Sequence, residues 1–225
     1  MKNIWLKYII PFISAFLVCL TATVLFAQSS KHCVVIDAAH GGDDSGVIGI
    51  DKIAEKDVSL AIARALQKEL AKEADIEVVL TRDSDKAISL MDRKKKILAT
   101  KPALVLSLHT NAGFAKTSSG YELYYPGFKN IDQLENDKRA KNDNAYLNDT
   151  VKFARLVQKN LDILFPRKGR GLREAAAPLT EELKIPVLVV ELGFVTNPDE
   201  KKKISNEKTE AEIAKALAKS IKSFF

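Results

Sequence analysis

Two histidines and two glutamates carry the chemistry available to this sequence. His40 lies in Asp37-Ala38-Ala39-His40-Gly41-Gly42, just past an apolar run. His109 lies in Ser107-Leu108-His109-Thr110-Asn111, just past another, and Glu191 follows Pro186-Val187-Leu188-Val189-Val190. A carboxylate abutting so apolar a run is costly to bury unless it has a partner or a task. Two imidazoles and one carboxylate are the protein ligands of one kind of catalytic zinc site, which keeps a further position open. A second carboxylate beside such a site can move protons. Glu55 and Glu191 are the two carboxylate candidates. The separations are too long for a local metal motif such as HExxH, so spacing alone does not divide the roles between them. Each residue also has a plain structural reading. His40 would be a turn residue beside two glycines, His109 a strand-end histidine, and Glu55 a helix-start carboxylate favoured by the macrodipole. Glu191 would be half of a buried ion pair with Arg82 or Arg173. The like placement of both histidines, each just past an apolar run, favours a site.

Strands must end where these residues begin. Residues 33–36, 77–80, 103–108, 121–125 and 186–190 read as strands, and the uniformly apolar ones suit a sheet covered on both faces. Helical periods alternate with them. Residues 57–74 place Val58, Ala61, Ile62, Ala65, Leu66 and Leu70 on one face. Ser89 caps a helix running to about Thr100, with Leu90, Ile97 and Leu98 inward and Pro102 ending it. Further helices are expected over 151–164, from Pro198, and over 209–225 with Ile213, Leu217 and Ile221 inward. Gly169-Arg170-Gly171 reads as a turn. Residues 128–149, crowded with Lys, Asp, Asn and Glu, read as a polar surface insertion. The alternation predicts an α/β fold with a mostly parallel sheet, in which ligands bind beyond the carboxyl ends of the strands.

At 225 residues and 46% hydrophobic, the chain can build a single-domain core, which excludes disordered and fibrous classes. A formal charge of +6, with no basic stripe interleaved with aromatics, does not argue for nucleic acid. Before Lys31 the only charges are Lys2 and Lys7, and Tyr8 to Ala27 is uncharged. That pattern predicts a signal peptide over 1–27, with an uncleaved membrane anchor over 8–27 as the alternative. Export to the periplasm or cell surface follows. Removing Cys19 with the leader leaves Cys33 without a disulfide partner.

The chain resembles the zinc-dependent N-acetylmuramoyl-L-alanine amidases. The resemblance runs, in order, through Ile36-Asp37-Ala38-Ala39-His40-Gly41-Gly42, Glu55-Lys56, Thr81-Arg82, residues 88–93, Ser107-Leu108-His109-Thr110-Asn111-Ala112 and Val190-Glu191-Leu192-Gly193-Phe194-Val195-Thr196-Asn197. It implies a twisted, mostly parallel sheet flanked by helices, forming one catalytic domain over 28–225. It implies hydrolysis of the peptidoglycan amide between N-acetylmuramic acid and L-alanine. One zinc ion would be held by His40, Glu55 and His109, and Glu191 would be the catalytic carboxylate. Asp37 is expected to orient His40 as a hydrogen-bond acceptor, and Asn111 and Arg173 to contact substrate. Ala39 stands where the family usually has Gly, which would strain the loop if that position requires positive φ. Some relatives carry, where 128–149 lies, a segment that covers the site until an activator binds. The plain reading of 128–149 is a solvated loop; were it such a cover, a protein activator would be a partner beside peptidoglycan, for a domain expected to be monomeric. A zinc peptidase acting on stem peptides and a non-catalytic wall-binding module are the alternative functions.

Overall fold

The apolar runs become the inner strands of a six-stranded sheet in the order β2-β1-β3-β6-β4-β5. The strands are β1 (His32–Ala38), β2 (Ile76–Leu80), β3 (Leu104–Asn111), β4 (Tyr121–Tyr125), β5 (Gly169–Glu174) and β6 (Val187–Phe194). The helices are α1 (Glu55–Leu70), α2 (Leu90–Thr100), α3 (Ala145–Leu164), α4 (Pro198–Ile204) and α5 (Glu207–Phe224). The computed structural model describes residues 31–126, 145–166, 168–175, 177–180 and 183–225. The expected leader over 1–27, and the expected insertion up to residue 144, lie outside the described residues.

β2, β1, β3 and β6 run parallel, as the alternation of strands and helices predicts. β4 runs antiparallel to β6, and β5 parallel to β4. Side chains alternate between the two faces of each strand. Val34, Ile36 and Ala38 of β1, with Leu104, Leu106 and Leu108 of β3, turn toward the main core beneath α1, α3 and α5. Val35, Val105 and Val187 face the other way, against Ile97 of α2 and Leu179 and Leu183. Because both faces are covered, these strands read as continuous apolar runs.

Three local expectations change. In α2 only Ile97 of the expected trio is buried, while Leu90 and Leu98 are 44% and 54% exposed. Arg93 takes the inward place because a buried carboxylate awaits it there. Gly169-Arg170-Gly171 is the start of β5, an edge strand too exposed to show an apolar pattern. The last residues of the expected insertion, from Ala145, already belong to α3.

Register brings the strand ends together. Ala38 pairs with Leu108, so the chain leaves β1 beside His109, and His109 pairs with Glu191.

Candidate active site

After β1 the chain turns sharply through His40 (φ 61°), Gly41 (φ 134°) and Gly42 (φ 61°). The left-handed conformation falls on His40, among the residue types that tolerate it best. Ala39 is not in that region, so its methyl carries no backbone strain, and it is buried at 3% exposure. Two buried guanidiniums hold the turn. Arg82 donates to the carbonyls of Ala38 (2.9 Å), Ala39 (2.9 Å) and Lys56 (2.7 Å). Arg93 donates to the carbonyls of Ala38 (2.7 Å) and His40, and to Asp37 Oδ1 (2.7 Å). Asp37 also accepts from Thr81 and Ser107, each at 2.7 Å. Burial opposes its ionisation, but Arg93 and these hydroxyls outweigh burial and hold its carboxyl below the usual carboxylate range. With its oxygens so engaged, Asp37 is not the acceptor for His40. That place belongs to Asp44, whose Oδ2 lies 2.8 Å from His40 Nδ1.

Glu55 opens α1 with its side chain buried. The backbone N–H of Val47 donates to Oε2 (3.0 Å) and that of Thr110 to Oε1 (3.1 Å). The remaining side of the carboxylate meets both histidines: His40 Nε2 lies 3.2 Å from Oε2, and His109 Nδ1 2.9 Å from Oε1. The three ligand atoms lie within 4.8 Å of one another, with the imidazole rings near perpendicular at 85°. Gly46 makes room for this convergence. At its φ of +62°, a Cβ would fall 2.5 Å from the His40 ring and 2.6 Å from Glu55 Oε2.

The electrostatics suit a cation. Hydrogen bonding to Glu55 and then to Asp44 outweighs burial and pushes His40 up to about 9. Glu55 is pushed well below the carboxylate range, because hydrogen bonds from His109, His40 and Val47 outweigh its burial. Asp44 fixes the outer nitrogen of His40 and leaves Nε2 facing Glu55. Protons shared between the carboxylate and the imidazoles thus stand where a divalent cation would bind, and two imidazoles with one carboxylate match a catalytic zinc set.

Glu191 sits on β6 next to His109, and its Oε2 is buried with no hydrogen-bond partner among the described residues. Neither Arg82 nor Arg173 pairs with it, so the ion-pair explanation fails. Burial pushes its carboxyl up to about 7; the nearby Glu55 and Glu122 carboxylates add to this, and His109 and His40 oppose it. An orphaned, perturbed carboxyl beside a cleft marks a functional group. A cavity of about 310 Å³ adjoins the site, lined by His40, His109, Leu90, Pro178, Leu179 and Val189 among others.

Asn111 and Arg173 converge on Glu122, a buried residue that sequence reasoning missed. Asn111 Nδ2 donates to its Oε2 (2.9 Å), and Arg173 Nη1 lies 3.9 Å from its Oε1. Tyr124 Oη and Arg170 Nε donate to the same carboxylate at 2.6 Å each. The alternation Tyr-Glu-Leu-Tyr-Tyr around Glu122 was the available signal, since it sets a carboxylate on one face of a strand beside aromatic side chains.

The family model for N-acetylmuramoyl-L-alanine amidase matches residues 34–223. The YqiI protein of Bacillus subtilis is 31% identical over 192 residues, covering 85% of this chain and 84% of that protein. N-acetylmuramoyl-L-alanine amidase AmiC of Escherichia coli is 27% identical over 218 residues, covering 85% of this chain and 52% of that protein. This chain therefore spans about half of AmiC. Among solved structures, the N-acetylmuramoyl-L-alanine amidase from Clostridium difficile 630 superposes with a TM-score of 0.74 at 30% identity, covering 87% of this chain and 97% of that one.

Proposed function

The chain belongs to the N-acetylmuramoyl-L-alanine amidase family; it is an amide hydrolase of peptidoglycan, and we propose that it works with one zinc ion held by His40, Glu55 and His109 and with Glu191 as proton carrier. The bond cut joins the lactyl group of N-acetylmuramic acid to L-alanine of the stem peptide. One observation carries the assignment of roles: three convergent ligand atoms lie beside a buried carboxylate oxygen that has no partner among the described residues. When bound, zinc supplies the Lewis acidity for attack on an amide carbonyl.

The chain's own groups do the rest. Glu191 takes the proton of the attacking water and delivers it to the leaving nitrogen of L-alanine. A carboxyl near 7 suits both acceptance and donation at neutral pH. Asp44 accepts from Nδ1 of His40 and so keeps Nε2 aimed at the ligand position. The N–H groups of Val47 and Thr110 hold Glu55 in place. A wall substrate places the working protein outside the membrane, in line with the leader expected over 1–27. Among the described residues no helix is long and apolar enough to cross a membrane.

Digestion of purified peptidoglycan by the full chain, with and without zinc, tests this reading by mass spectrometry. The expected products are stem peptides beginning with L-alanine and glycan chains with free lactyl groups. Glu191→Gln should lose them while retaining zinc. Cuts within the stem would make the protein a peptidase, and binding without any product would make it a wall-binding module.

A further inference from the structure

A row of side chains leads across the sheet away from the histidines. His109 on β3 pairs with Glu191 on β6, and Glu191 with Glu122 on β4. On β5 the residues beside Glu122 are Arg170 and Gly171, between the paired positions Tyr121–Gly169 and Leu123–Leu172. Beyond β6 this row is polar and cationic. Two guanidiniums face the single carboxylate of Glu122. Arg170 spends its Nε on Glu122 and lies over the Phe194 ring, 5.1 Å from its centroid. Its Nη1 and Nη2 have no partner among the described residues, and the side chain is 40% exposed. Arg173 makes only the 3.9 Å approach to Glu122, and its side chain is 51% exposed. Buried Glu122, paired with Glu191 across β4 and β6, thus anchors two arginines whose outer donors have no partner among the described residues.

The proposed function supplies the kind of ligand. Once its lactyl carboxyl is tied into the scissile amide, the muramyl residue carries no carboxylate, whereas the stem peptide carries them from its second residue onward. β5 lies two strands beyond β6, about 10 Å at usual strand spacing, and an extended peptide advances about 3.4 Å per residue. A carboxylate two or three residues past the cut therefore falls within reach of these side chains. Arginine is the side chain best shaped to grip a carboxylate, through paired N–H donors. We propose that Arg170 and Arg173 form a carboxylate subsite that draws the stem peptide across β4 toward β5. This rests on the amidase reading above.

The test uses the zinc-loaded full chain and two soluble probes: N-acetylmuramoyl-L-alanyl-D-glutamate and its uncharged diamide. Wild type should hydrolyse the acid with kcat/KM at least about tenfold higher, mainly through KM. Added salt should shrink that advantage. Arg173 is the residue to replace, because Arg170 also neutralises buried Glu122. Arg173→Gln should remove most of the preference for the acid, and Arg173→Glu should reverse it. Equal turnover of both probes by wild type, or a preference that survives Arg173→Glu, overturns the subsite. If wild type hydrolyses neither probe nor purified peptidoglycan, the amidase reading itself fails, and the subsite with it.

Discussion

Glu191 holds its carboxyl in surroundings whose burial pushes it up to about 7. An unfolded glutamate ionises near 4.3. Since the folded value is the higher one, ionisation costs stability. The cost is absent below about pH 4, grows through the interval up to 7, and is complete above it. Glu191→Gln should therefore abolish turnover yet stabilise the zinc-free protein at pH 8 by up to about 3 kcal/mol, seen as a raised thermal midpoint, with no gain at pH 4. Melting curves at the two pH values check this, and a fall at pH 8 would contradict it. Asp44 makes a second case. Asp44→Ala removes the acceptor on His40 Nδ1, and zinc affinity measured by chelator competition should drop about 10–100-fold. His40, His109 and Glu191 were legible as candidates because such residues rarely follow apolar runs, whereas Glu55 opens a helix and stood out as a ligand only through the family resemblance. Asp44 and Gly46 were not, since their roles depend on the left-handed turn at His40, which no periodicity encodes. Asp37 was misjudged for a related reason: it stands three residues before His40 along the chain, but its side chain pairs with Arg93 of α2.

At the scale of elements, one ion pair fastens α2 to the end of β1. Arg93→Ala would leave Asp37 buried without its cation. The expected loss is about 3–5 kcal/mol, read from denaturant midpoints at pH 7. Asp37's lowered folded pKa gives the sign of the pH effect. Its contribution is whole above the unfolded value, about 3.9, and fades as pH falls through the lower folded one. The gap between wild type and variant should accordingly narrow on acidification below about pH 4. The loop before α1 is constrained by space instead. Gly46→Ala would press a methyl against the His40 ring and the Glu55 carboxylate. Zinc affinity should suffer more than the stability of the zinc-free protein, which calorimetric titration and melting together would reveal. The helices themselves were readable from spacing, down to the Ser89 cap that accepts from the N–H of Asp92. The inward Arg93 was not, because an apolar pattern cannot announce a helix face that serves a buried carboxylate.

For the whole molecule, the proposed ligands come from the turn after β1, the start of α1 and the end of β3, which meet only when the sheet is formed. A cation bound there binds the native state alone. At a thousandfold excess over Kd it should add about 4 kcal/mol. Chelator should lower the thermal midpoint and returned zinc restore it; a midpoint indifferent to both would argue against the site. The α/β architecture was legible because buried parallel strands stay apolar on both faces. The reversed direction of β4 and β5 was not, since a five-residue strand carries no mark of the way it will run, and β5 lacks the burial that would make it look like a strand.

β5 also ends the sheet on one side, as Gly169-Arg170-Gly171-Leu172-Arg173-Glu174. A terminal strand is a template on which a second chain could continue the ladder, and such edges are commonly defended by charge and brevity. Here three charged side chains and two glycines share six residues. Stacking a copy against this edge sets arginine against arginine and offers little apolar surface in return. The guanidiniums that we assign to substrate thus also charge this edge, and neutralising both should leave the protein more prone to self-association in storage.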